Sequence, residues 1–476
     1  MLLLAFAACF PQLATTADDS ALDSGVDSGD SAADSDTAST GCVQKGVDDA
    51  AEAWDLPTGF PTDTFASTAD LDYATAPSWG LLDLDGNGRR DVVMTRDDAS
   101  GVSGLGTTVW STYSNTGSKF RVSAESWTLP GGFADLTFQT PADLDLAATP
   151  TWGLADLTGD GLTDLVVTRD DNSGVDGLSG SLWLLYRNTG SGFSGSPTSW
   201  SLPAGYDRLT FSSVYDDSSA DPAWTLTDLD ADGKLDFVIT HDDNAGVSGL
   251  GSSTWMVFLN SGSGFATTGT PWDLPPGYSD GTFATAYDAS SADPAWGLAD
   301  LDGNGRTDVV VTQDASAGAV GNKKWLYYSN TGAKFRSEST EWALPVGLPD
   351  GTFTTLADAS TDSPNWSLAD LDRDGKLDIV VTRNDAAGIP ELGTSRWQLF
   401  TNEGAGFAAD NTAWPLPAGF PELSFPTLYD SADADLGWTL TDIDGDNYLD
   451  LLVTHNANGS SALGTTTWDR YLAHCK

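Results

Sequence analysis

Residues 224–241 read WTLTDLDADGKLDFVITH and contain the pattern that decides the fold. Trp224–Asp228 alternates apolar and polar residues, which is typical of a short strand with one buried face. An Asp-rich loop follows, and Phe237–His241 reads as a second, buried strand. A Gly-rich loop leads to a third strand at Trp255–Leu259. An Asn-Ser-Gly turn then predicts a fourth strand over Phe265–Pro275.

This four-strand unit is present six times, as the tryptophans show. All 18 tryptophans fall into three sets of six with steps of 70 to 73 residues. The sets are Trp79, Trp152, Trp224, Trp296, Trp366 and Trp438; Trp110, Trp183, Trp255, Trp325, Trp397 and Trp468; and Trp54, Trp127, Trp200, Trp272, Trp342 and Trp414. Their recurrence in every unit favours packing of the tryptophans between neighbouring units. Stacking on sugars is the alternative.

The order of the sets predicts a closed ring. The first tryptophan, Trp54, belongs to the fourth-strand set, whereas the last, Trp468, belongs to the third-strand set. The sixth unit therefore lacks its final strand, and the N-terminal strand supplies it. Short strands, Gly and Asn turns and six units predict an all-β fold, a six-bladed β-propeller of four-stranded blades.

Composition limits the partners of this ring. The 476 residues carry 69 acidic against 21 basic side chains and a net charge of −48. Nucleic acid and anionic membranes are poor partners for such a surface. No apolar stretch is long enough to predict a transmembrane helix. We expect a monomer whose one link to a membrane is an N-terminal lipid.

A nine-residue loop follows the first strand of every unit. The six copies, here called metal loops 1 to 6, read DLDGNGRRD (83–91), DLTGDGLTD (156–164), DLDADGKLD (228–236), DLDGNGRTD (300–308), DLDRDGKLD (370–378) and DIDGDNYLD (442–450). Positions 1, 3, 5 and 9 carry oxygen side chains, position 6 permits a sharp turn, and position 7 offers its backbone carbonyl. This is the ligand pattern of an EF-hand-type calcium loop.

The pattern predicts up to six Ca²⁺ ions. The predicted ligands are Asp83, Asp85, Asn87, Arg89 and Asp91; Asp156, Thr158, Asp160 and Asp164; Asp228, Asp230, Asp232, Lys234 and Asp236; Asp300, Asp302, Asn304, Arg306 and Asp308; Asp370, Asp372, Asp374, Lys376 and Asp378; and Asp442, Asp444, Asp446, Tyr448 and Asp450. Clustered carboxylates repel one another unless a cation neutralises them. A solvated Asp-rich turn is the alternative. Thr158 weakens the second site, and Asn447 replaces the glycine of the last.

A strand, a D-x-D-x-D-G-x-x-D loop and an apolar strand, repeated around a ring, resemble the FG-GAP/VCBS repeats of integrin α-subunit propellers and of some bacterial surface proteins and fungal lectins. The resemblance covers Trp54 to the C-terminus, with six units where integrins have seven. It implies calcium loops on one face, ligand binding on the opposite face and a secreted or surface location. We expect a non-catalytic ligand-binding or adhesion module for protein or glycan. The alternative is a calcium-dependent carbohydrate-active enzyme such as a polysaccharide lyase.

The loops after the second strands should lie on the face opposite the metal loops. They begin with Arg96-Asp97, Arg169-Asp170, His241-Asp242, Gln313-Asp314, Arg383-Asn384 and His455-Asn456. The connections between units add Asp70, Asp143, Asp216, Asp288, Asp358 and Asp430. These side chains form either ligand pockets or, as we favour, ion pairs that hold the loops. With three His and no unique catalytic constellation, no enzyme is expected.

The chain ends carry three further predictions. Residues 1–9, MLLLAFAAC, resemble a bacterial lipoprotein signal with Cys9 lipidated, and Phe10 suggests the outer membrane; a plain secretory signal is the alternative. Residues 10–41 read as a disordered tether. Repeat arithmetic places Cys42 and Cys475 in one tight turn, where a disulfide would staple the propeller of residues 42–476.

Overall fold

The computed structural model describes residues 45–70, 76–141, 149–207, 209–214, 221–244, 246–286, 293–356, 363–389, 391–428, 436–457, 459 and 461–475. Residues 1–44 lie outside these ranges. The signal peptide, the lipidation of Cys9 and the tether therefore remain predictions. Within the described ranges no helix is long and apolar enough to cross a bilayer. A short 3₁₀ helix occupies Asp385–Ala387.

Six antiparallel four-stranded blades form the molecule, which confirms the predicted β-propeller. In chain order, β1 is Lys45–Val47, β2 is Glu52–Asp55 and β3 is Ala69–Asp70. Blade 1 contains β4 (Ser78–Leu82), β5 (Asp91–Arg96), β6 (Val109–Tyr113) and β7 (Glu125–Thr128), with β3 as an added fifth strand. Blade 2 contains β8 (Thr151–Ala155), β9 (Asp164–Arg169), β10 (Leu182–Tyr186) and β11 (Thr198–Ser201).

The remaining blades follow the same order. Blade 3 contains β12 (Ala223–Thr227), β13 (Asp236–His241), β14 (Thr254–Phe258) and β15 (Thr270–Asp273). Blade 4 contains β16 (Ala295–Ala299), β17 (Asp308–Gln313), β18 (Lys324–Tyr328) and β19 (Thr340–Ala343). Blade 5 contains β20 (Asn365–Ala369), β21 (Asp378–Arg383), β22 (Arg396–Phe400) and β23 (Thr412–Pro415). Blade 6 contains β24 (Leu436–Thr441), β25 (Asp450–Asn456) and β26 (Thr467–Tyr471).

The N-terminal strand closes the ring, as predicted. Strand β2 is the fourth strand of blade 6, and its Trp54 pairs with Trp468 of β26. A second contact lies beside it, because β1 pairs with β27 (Ala473–Cys475). The two ends of the chain are thus joined through two separate pairs of strands.

The predicted fourth strand was too long. Thr270–Asp273 forms β15, whereas Phe265 lies before it and makes an isolated bridge to Asn260. The backbone N–H of Phe265 donates to Ser201 of the preceding blade at 3.0 Å. Its ring is therefore anchored between two blades instead of continuing a strand.

The hydrophobic core lies between the blades, which confirms the predicted packing of tryptophans. Trp110 of blade 1 contacts Trp152 of blade 2 with ring centroids 6.1 Å apart. Phe193 of blade 2 packs edge-on against the same Trp110 at 5.9 Å. At the closing joint, Trp54 and Trp468 are buried with Trp79 of blade 1. Each blade is stabilised by its neighbours, because one twisted sheet cannot bury both of its apolar faces alone.

Candidate metal centre

Each metal loop connects the first strand of its blade to the second, so all six lie on one face. In loop 4 the Oδ1 atom of Asp300 accepts backbone N–H bonds from Gly303 at 2.9 Å and Asn304 at 3.1 Å. Its Oδ2 atom accepts from Gly305 at 2.7 Å. The first carboxylate therefore organises the turn from inside.

The same arrangement recurs in the other loops. The N–H of position 6 donates to the position-1 carboxylate in loops 1, 2, 3, 5 and 6, from Gly88, Gly161, Gly233, Gly375 and Asn447 respectively. Position 6 has a left-handed backbone conformation, with φ of 81° at Gly305 and 66° at Asn447. Asparagine tolerates this conformation better than other side-chain-bearing residues do, which explains why Asn447 can replace glycine.

Four of the six loops bring three carboxylates together. The ligand atoms of each group lie within 4.8 Å of one another. The groups are Asp228, Asp230 and Asp236; Asp300, Asp302 and Asp308; Asp370, Asp372 and Asp374; and Asp442, Asp444 and Asp446. Among the described residues, loops 1 and 2 do not form such a group. A neutral side chain at one ligand position, Asn87 or Thr158, does not by itself explain this difference, because loop 4 has Asn304 at the position of Asn87 and still forms a group.

The ninth residue of each loop is a buried aspartate whose Oδ1 atom accepts a backbone N–H, and in loop 3 the Oδ2 atom of Asp236 accepts a second one, from Leu229 at 3.3 Å. The Oδ1 atom of Asp308 accepts the backbone N–H of Asn330 at 2.7 Å, and the Oδ1 atom of Asp378 accepts that of Asn402 at 2.8 Å. The Oδ2 atoms of Asp164, Asp308, Asp378 and Asp450 are buried and have no hydrogen-bond partner. A buried carboxylate oxygen without a partner is costly, and a bound cation would satisfy it.

The same burial changes the protonation of these groups. Desolvation raises the pKa of Asp91, Asp164, Asp236 and Asp308 to about 7, against the opposing effect of the backbone hydrogen bond that each accepts. It raises the pKa of Asp378 and Asp450 to about 8. Neighbouring aspartates contribute to the rise by repulsion. A positive charge bound beside these carboxylates would favour their ionised form and lower their pKa values.

The residues present therefore fit a hard divalent cation. Carboxylate oxygens from positions 1 and 3, and from 5 or 9, converge, and in loop 4 the buried Asp308 adds the unpartnered oxygen. The backbone carbonyl of position 7 is the further predicted ligand. Its N–H meanwhile donates to position 5, from Arg306 to Asn304 at 2.8 Å and from Tyr448 to Asp446 at 2.9 Å.

At two of the predicted position-7 residues, the side chain makes a contact that the sequence did not predict. The Nζ atom of Lys234 donates to Oδ2 of Asp232 at 2.8 Å, and that of Lys376 donates to Oδ2 of Asp374 at 2.8 Å. Both ion pairs are partly exposed to solvent. A lysine ammonium thus contacts position 5 in loops 3 and 5.

An asparagine that the sequence analysis did not single out ties neighbouring loops together. The Nδ2 atom of Asn260 donates to the carbonyl of Leu157 in loop 2 at 2.8 Å and to that of Leu235 in loop 3 at 3.0 Å. Equivalent bonds to the preceding loop come from Asn115, Asn188, Asn330 and Asn402. The signal was an asparagine five residues after the third-strand tryptophan in five of the six units, with Ala473 in the last.

On the opposite face, the predicted cluster forms local ion pairs. Arg96 binds both carboxylate oxygens of Asp98 at 3.1 Å, and its Nη1 atom donates to Gln139. The same pairing joins Arg169 to Asp171 and Arg383 to Asp385, and the Nε2 atom of His241 lies 3.4 Å from Oδ1 of Asp243. In each pair the aspartate lies two residues after the basic residue, and not directly after it.

The aspartates next to these bases have another role. Asp97, Asp170 and Asp242 accept the backbone N–H of Ala99, Asn172 and Asn244 respectively, at 2.7 to 2.9 Å. They stabilise the start of each loop, in agreement with the interpretation that this cluster holds the loops. His455 is half-buried at the end of its strand.

Two predictions fall outside what the structure describes. Five of the six connecting aspartates lie in undescribed segments, and the side chain of the sixth, Asp70, is not described. Cys42 also lies outside, so the disulfide stays a prediction. Its predicted setting was wrong in one respect, since Cys475 ends strand β27 and pairs with Lys45 instead of lying in a tight turn. After the third strand the other units have a turn, whereas here strand β27 pairs with the added strand β1.

Six four-stranded blades in a ring define the protein as a β-propeller. It contains an FG-GAP-like repeat, because the profile of that family matches residues 300–381. The matched span begins at metal loop 4 and ends in β21, so it includes two complete metal loops. The repeat that the sequence suggested is thereby confirmed for this part of the ring.

Several solved structures match parts of this chain at 15–16% sequence identity. The Tc holotoxin pore of Photorhabdus luminescens matches 91% of this chain and 15% of its own, with 16% identity and a TM-score of 0.49. A lectin of Agrocybe aegerita, described as recognising non-reducing terminal N-acetylglucosamine, matches 83% of this chain and 79% of its own, with 16% identity and a TM-score of 0.40. An exotype rhamnogalacturonan lyase matches 84% and 64%, with 15% identity and a TM-score of 0.26. No curated protein matches the sequence.

Proposed function

We propose that this protein is a calcium-binding β-propeller that acts as a non-catalytic binding module at the cell surface, with a protein or a glycan as its ligand. One observation carries the calcium assignment. In loop 4 the buried, unpartnered Oδ2 atom belongs to Asp308, whose carboxylate converges with those of Asp300 and Asp302. Turn formation alone would not require a desolvated carboxylate there.

Calcium suits these loops better than a smaller ion. The ligands are all oxygens, and they come from a nine-residue segment with alternate spacing. Ca²⁺ accepts six to eight such ligands in flexible geometry, whereas Mg²⁺ demands near-ideal octahedral geometry and retains water. Extracellular calcium modules bind with dissociation constants of ~10⁻⁴–10⁻³ M, which fits a secreted or outer-membrane location.

The binding role is assigned to the face opposite the metal loops. Calcium would hold one end of every blade, which leaves the longer loops of the other end to meet a ligand. The basic side chains of this face are engaged in loop-holding ion pairs, as for Arg96 with Asp98 and Arg383 with Asp385. This supports recognition by a shaped surface over catalysis, and we propose no reaction.

The test is calcium titration of the chelator-treated full-length chain by calorimetry, with metal content and thermal unfolding measured on the same sample. We expect several ions to bind and the unfolding temperature to rise. Asp308→Asn keeps the oxygen that accepts the Asn330 N–H but removes the charge, so it should bind one ion fewer. Asp135→Asn is the matched control, because Asp135 is exposed on the connection between blades 1 and 2.

Two outcomes would contradict the assignment. Wild-type protein that binds no calcium at millimolar concentration, with an unchanged unfolding temperature, would leave the loops as solvated turns. Equal losses in Asp308→Asn and Asp135→Asn would show that the ions bind to diffuse surface charge. For the opposite face, arrays of glycans and surface proteins are probed with the calcium-loaded chain, and turnover of acidic polysaccharides would replace the binding role with a lyase.

A further inference from the structure

In blades 4 and 6 one position of the third strand contacts the metal loop, and the residue at this position differs between blades. It is two residues after the third-strand tryptophan. The six residues there are Thr112, Leu185, Val257, Tyr327, Leu399 and Arg470. Five are neutral and one is a cation, so blade 6 differs in charge from every other blade at this point.

Arg470 is clamped by three groups. Its Nη1 atom donates to Oδ2 of Asp444 at 2.8 Å, and its Nη2 atom donates to Oε2 of Glu52 at 2.8 Å. The guanidinium lies 4.8 Å from the ring centroid of Trp54. The Arg470 side chain is 8% exposed and that of Asp444 is 16% exposed. A desolvated pair of this kind is strong because neither partner can return to water without loss.

Asp444 is position 3 of metal loop 6, so a protein cation already neutralises one of the ligands proposed for calcium. A second arginine contacts the same residue, since Nε of Arg89 donates to the Asp444 carbonyl at 2.7 Å. In loop 4 the equivalent neighbour is neutral: the Tyr327 hydroxyl donates to Oδ2 of Asp302 at 2.5 Å. A hydroxyl adds no charge that would repel an incoming ion.

The lysines of loops 3 and 5 are weaker counter-ions than this arginine. Lys376 contacts Asp374, but its side chain is 27% exposed. A partly solvated ammonium on a flexible stem can move into water when a divalent cation arrives. Arg470 has no such freedom, because Glu52 and Trp54 hold it on the other side.

We propose that Arg470 is a built-in counter-ion of metal loop 6, which makes this loop the weakest calcium site among the four carboxylate clusters and keeps it folded without calcium. Because Arg470 also binds Glu52 of β2, the closing strand stays attached to blade 6 when calcium is removed. The first part rests on the calcium function proposed above, whereas the second part does not.

The calcium test compares two loops with the same four aspartates. Asp370→Asn removes the carboxylate charge at position 1 of loop 5, and Asp442→Asn removes the carboxylate charge at position 1 of loop 6. We expect Asp370→Asn to lose one ion from the tight class of sites, while Asp442→Asn leaves that class unchanged. Arg470→Leu, which introduces the residue of blades 2 and 5, should add one ion to the tight class by strengthening loop 6 about tenfold or more. Arg470→Lys keeps the charge and should leave loop 6 weak.

The second test needs no calcium. Amide hydrogen exchange in chelator should show β2 and β26 protected in the wild type and exposed in Arg470→Leu. Tyr327→Phe is the control, because it removes the equivalent contact without a charge and far from the closing strand.

Equal loss of a tight ion in Asp370→Asn and Asp442→Asn overturns the weak-site assignment, even if Arg470→Leu fails to fold. Unprotected β2 in chelator-treated wild type overturns the closing role. A wild type that binds no calcium but protects β2 overturns the proposed function and the weak-site assignment, and leaves Arg470 as a lock of the ring.

Discussion

The side-chain amide of Asn188 donates a 2.7 Å hydrogen bond to the carbonyl oxygen of Leu84, in the metal loop of the preceding blade. The same nitrogen reaches the carbonyl of Thr163 in its own loop at 3.0 Å, and the Asn188 backbone N–H binds Oδ1 of Asp164 at 2.8 Å. One buried side chain thus links two adjacent loops. Blade packing and loop geometry are therefore connected by this asparagine at five of the six blade junctions.

Replacing Asn188 with alanine should destabilise the ring. The carbonyls of Leu84 and Thr163 would lose a buried donor, at a cost of about 1–3 kcal/mol. Unfolding by denaturant, followed by tryptophan fluorescence, measures this. Ser191→Ala, at an exposed position of the same turn, is the control and should change stability little. A cost for Asn188→Ala no larger than that of the control would show that the link carries no energy.

Two buried tryptophans of blade 2 should respond differently to the same substitution. The Nε1 atom of Trp183 donates to the carbonyl of Phe211 at 2.7 Å, whereas the buried Nε1 atom of Trp200 has no partner. Trp183→Phe therefore loses a hydrogen bond as well as volume, and Trp200→Phe loses volume alone. We expect Trp183→Phe to cost about 1–2 kcal/mol more. Thermal unfolding of both variants decides this, and equal costs would contradict it.

The calcium-free protein should lose stability as the pH rises. Burial raises the pKa of Asp308 from 3.8 to about 7 and that of Asp378 to about 8. Between the unfolded-state pKa of 3.8 and these folded-state values, the folded state binds more protons than the unfolded state. The free energy of unfolding therefore falls from about pH 4 towards pH 8 and then levels off. In chelator, the unfolding temperature at pH 5 should exceed that at pH 8.

Saturating calcium should reverse this dependence. A bound ion requires ionised carboxylates, so protons compete with calcium as the pH falls below about 7. The calcium-induced rise in unfolding temperature should therefore be larger at pH 8 than at pH 5.5. A chelated protein whose stability rises with pH over this interval would show that the position-9 carboxylates are not desolvated.

Removal of the closing strand should open the ring. A chain that lacks residues 1–44 keeps β1 and β2, and we expect it to fold. A chain that lacks residues 1–55 loses β2 and uncovers Trp468, which is fully buried in the closed ring. We expect this shorter chain to aggregate or to lose its near-ultraviolet circular dichroism. Identical spectra and solubility for the two chains would contradict the closure.

The fold could be predicted because its signals are local and repeated six times. A strand pattern, an Asp-rich loop and three tryptophans recur at one period, and the displaced Trp54 identifies how the ring closes. The fourth strand was predicted too long because Phe265 is apolar and adjacent to it. An apolar residue reads alike in a strand and between two blades, and the contacts with Trp183 and Trp200 that distinguish the two come from another blade.

The metal loops were also predictable as a pattern, but their differences were not. Chain spacing alone indicates which side chains carry oxygen and how sharply the loop must turn. It does not show that Lys376 contacts Asp374, or that Arg470 reaches Asp444 from a strand 26 residues further on. Contacts of this kind depend on the direction of side chains in neighbouring strands.

By itself, the sequence determined the all-β class, six units, the closing strand and the place of the oxygen-rich loops, because strand periodicity and turn chemistry act between residues close in the chain. The tertiary structure alone decided which carboxylates are desolvated, which asparagines join the blades and which cation faces loop 6. Burial and long-range contact set these properties, and both arise only when blades that are distant in sequence pack side by side.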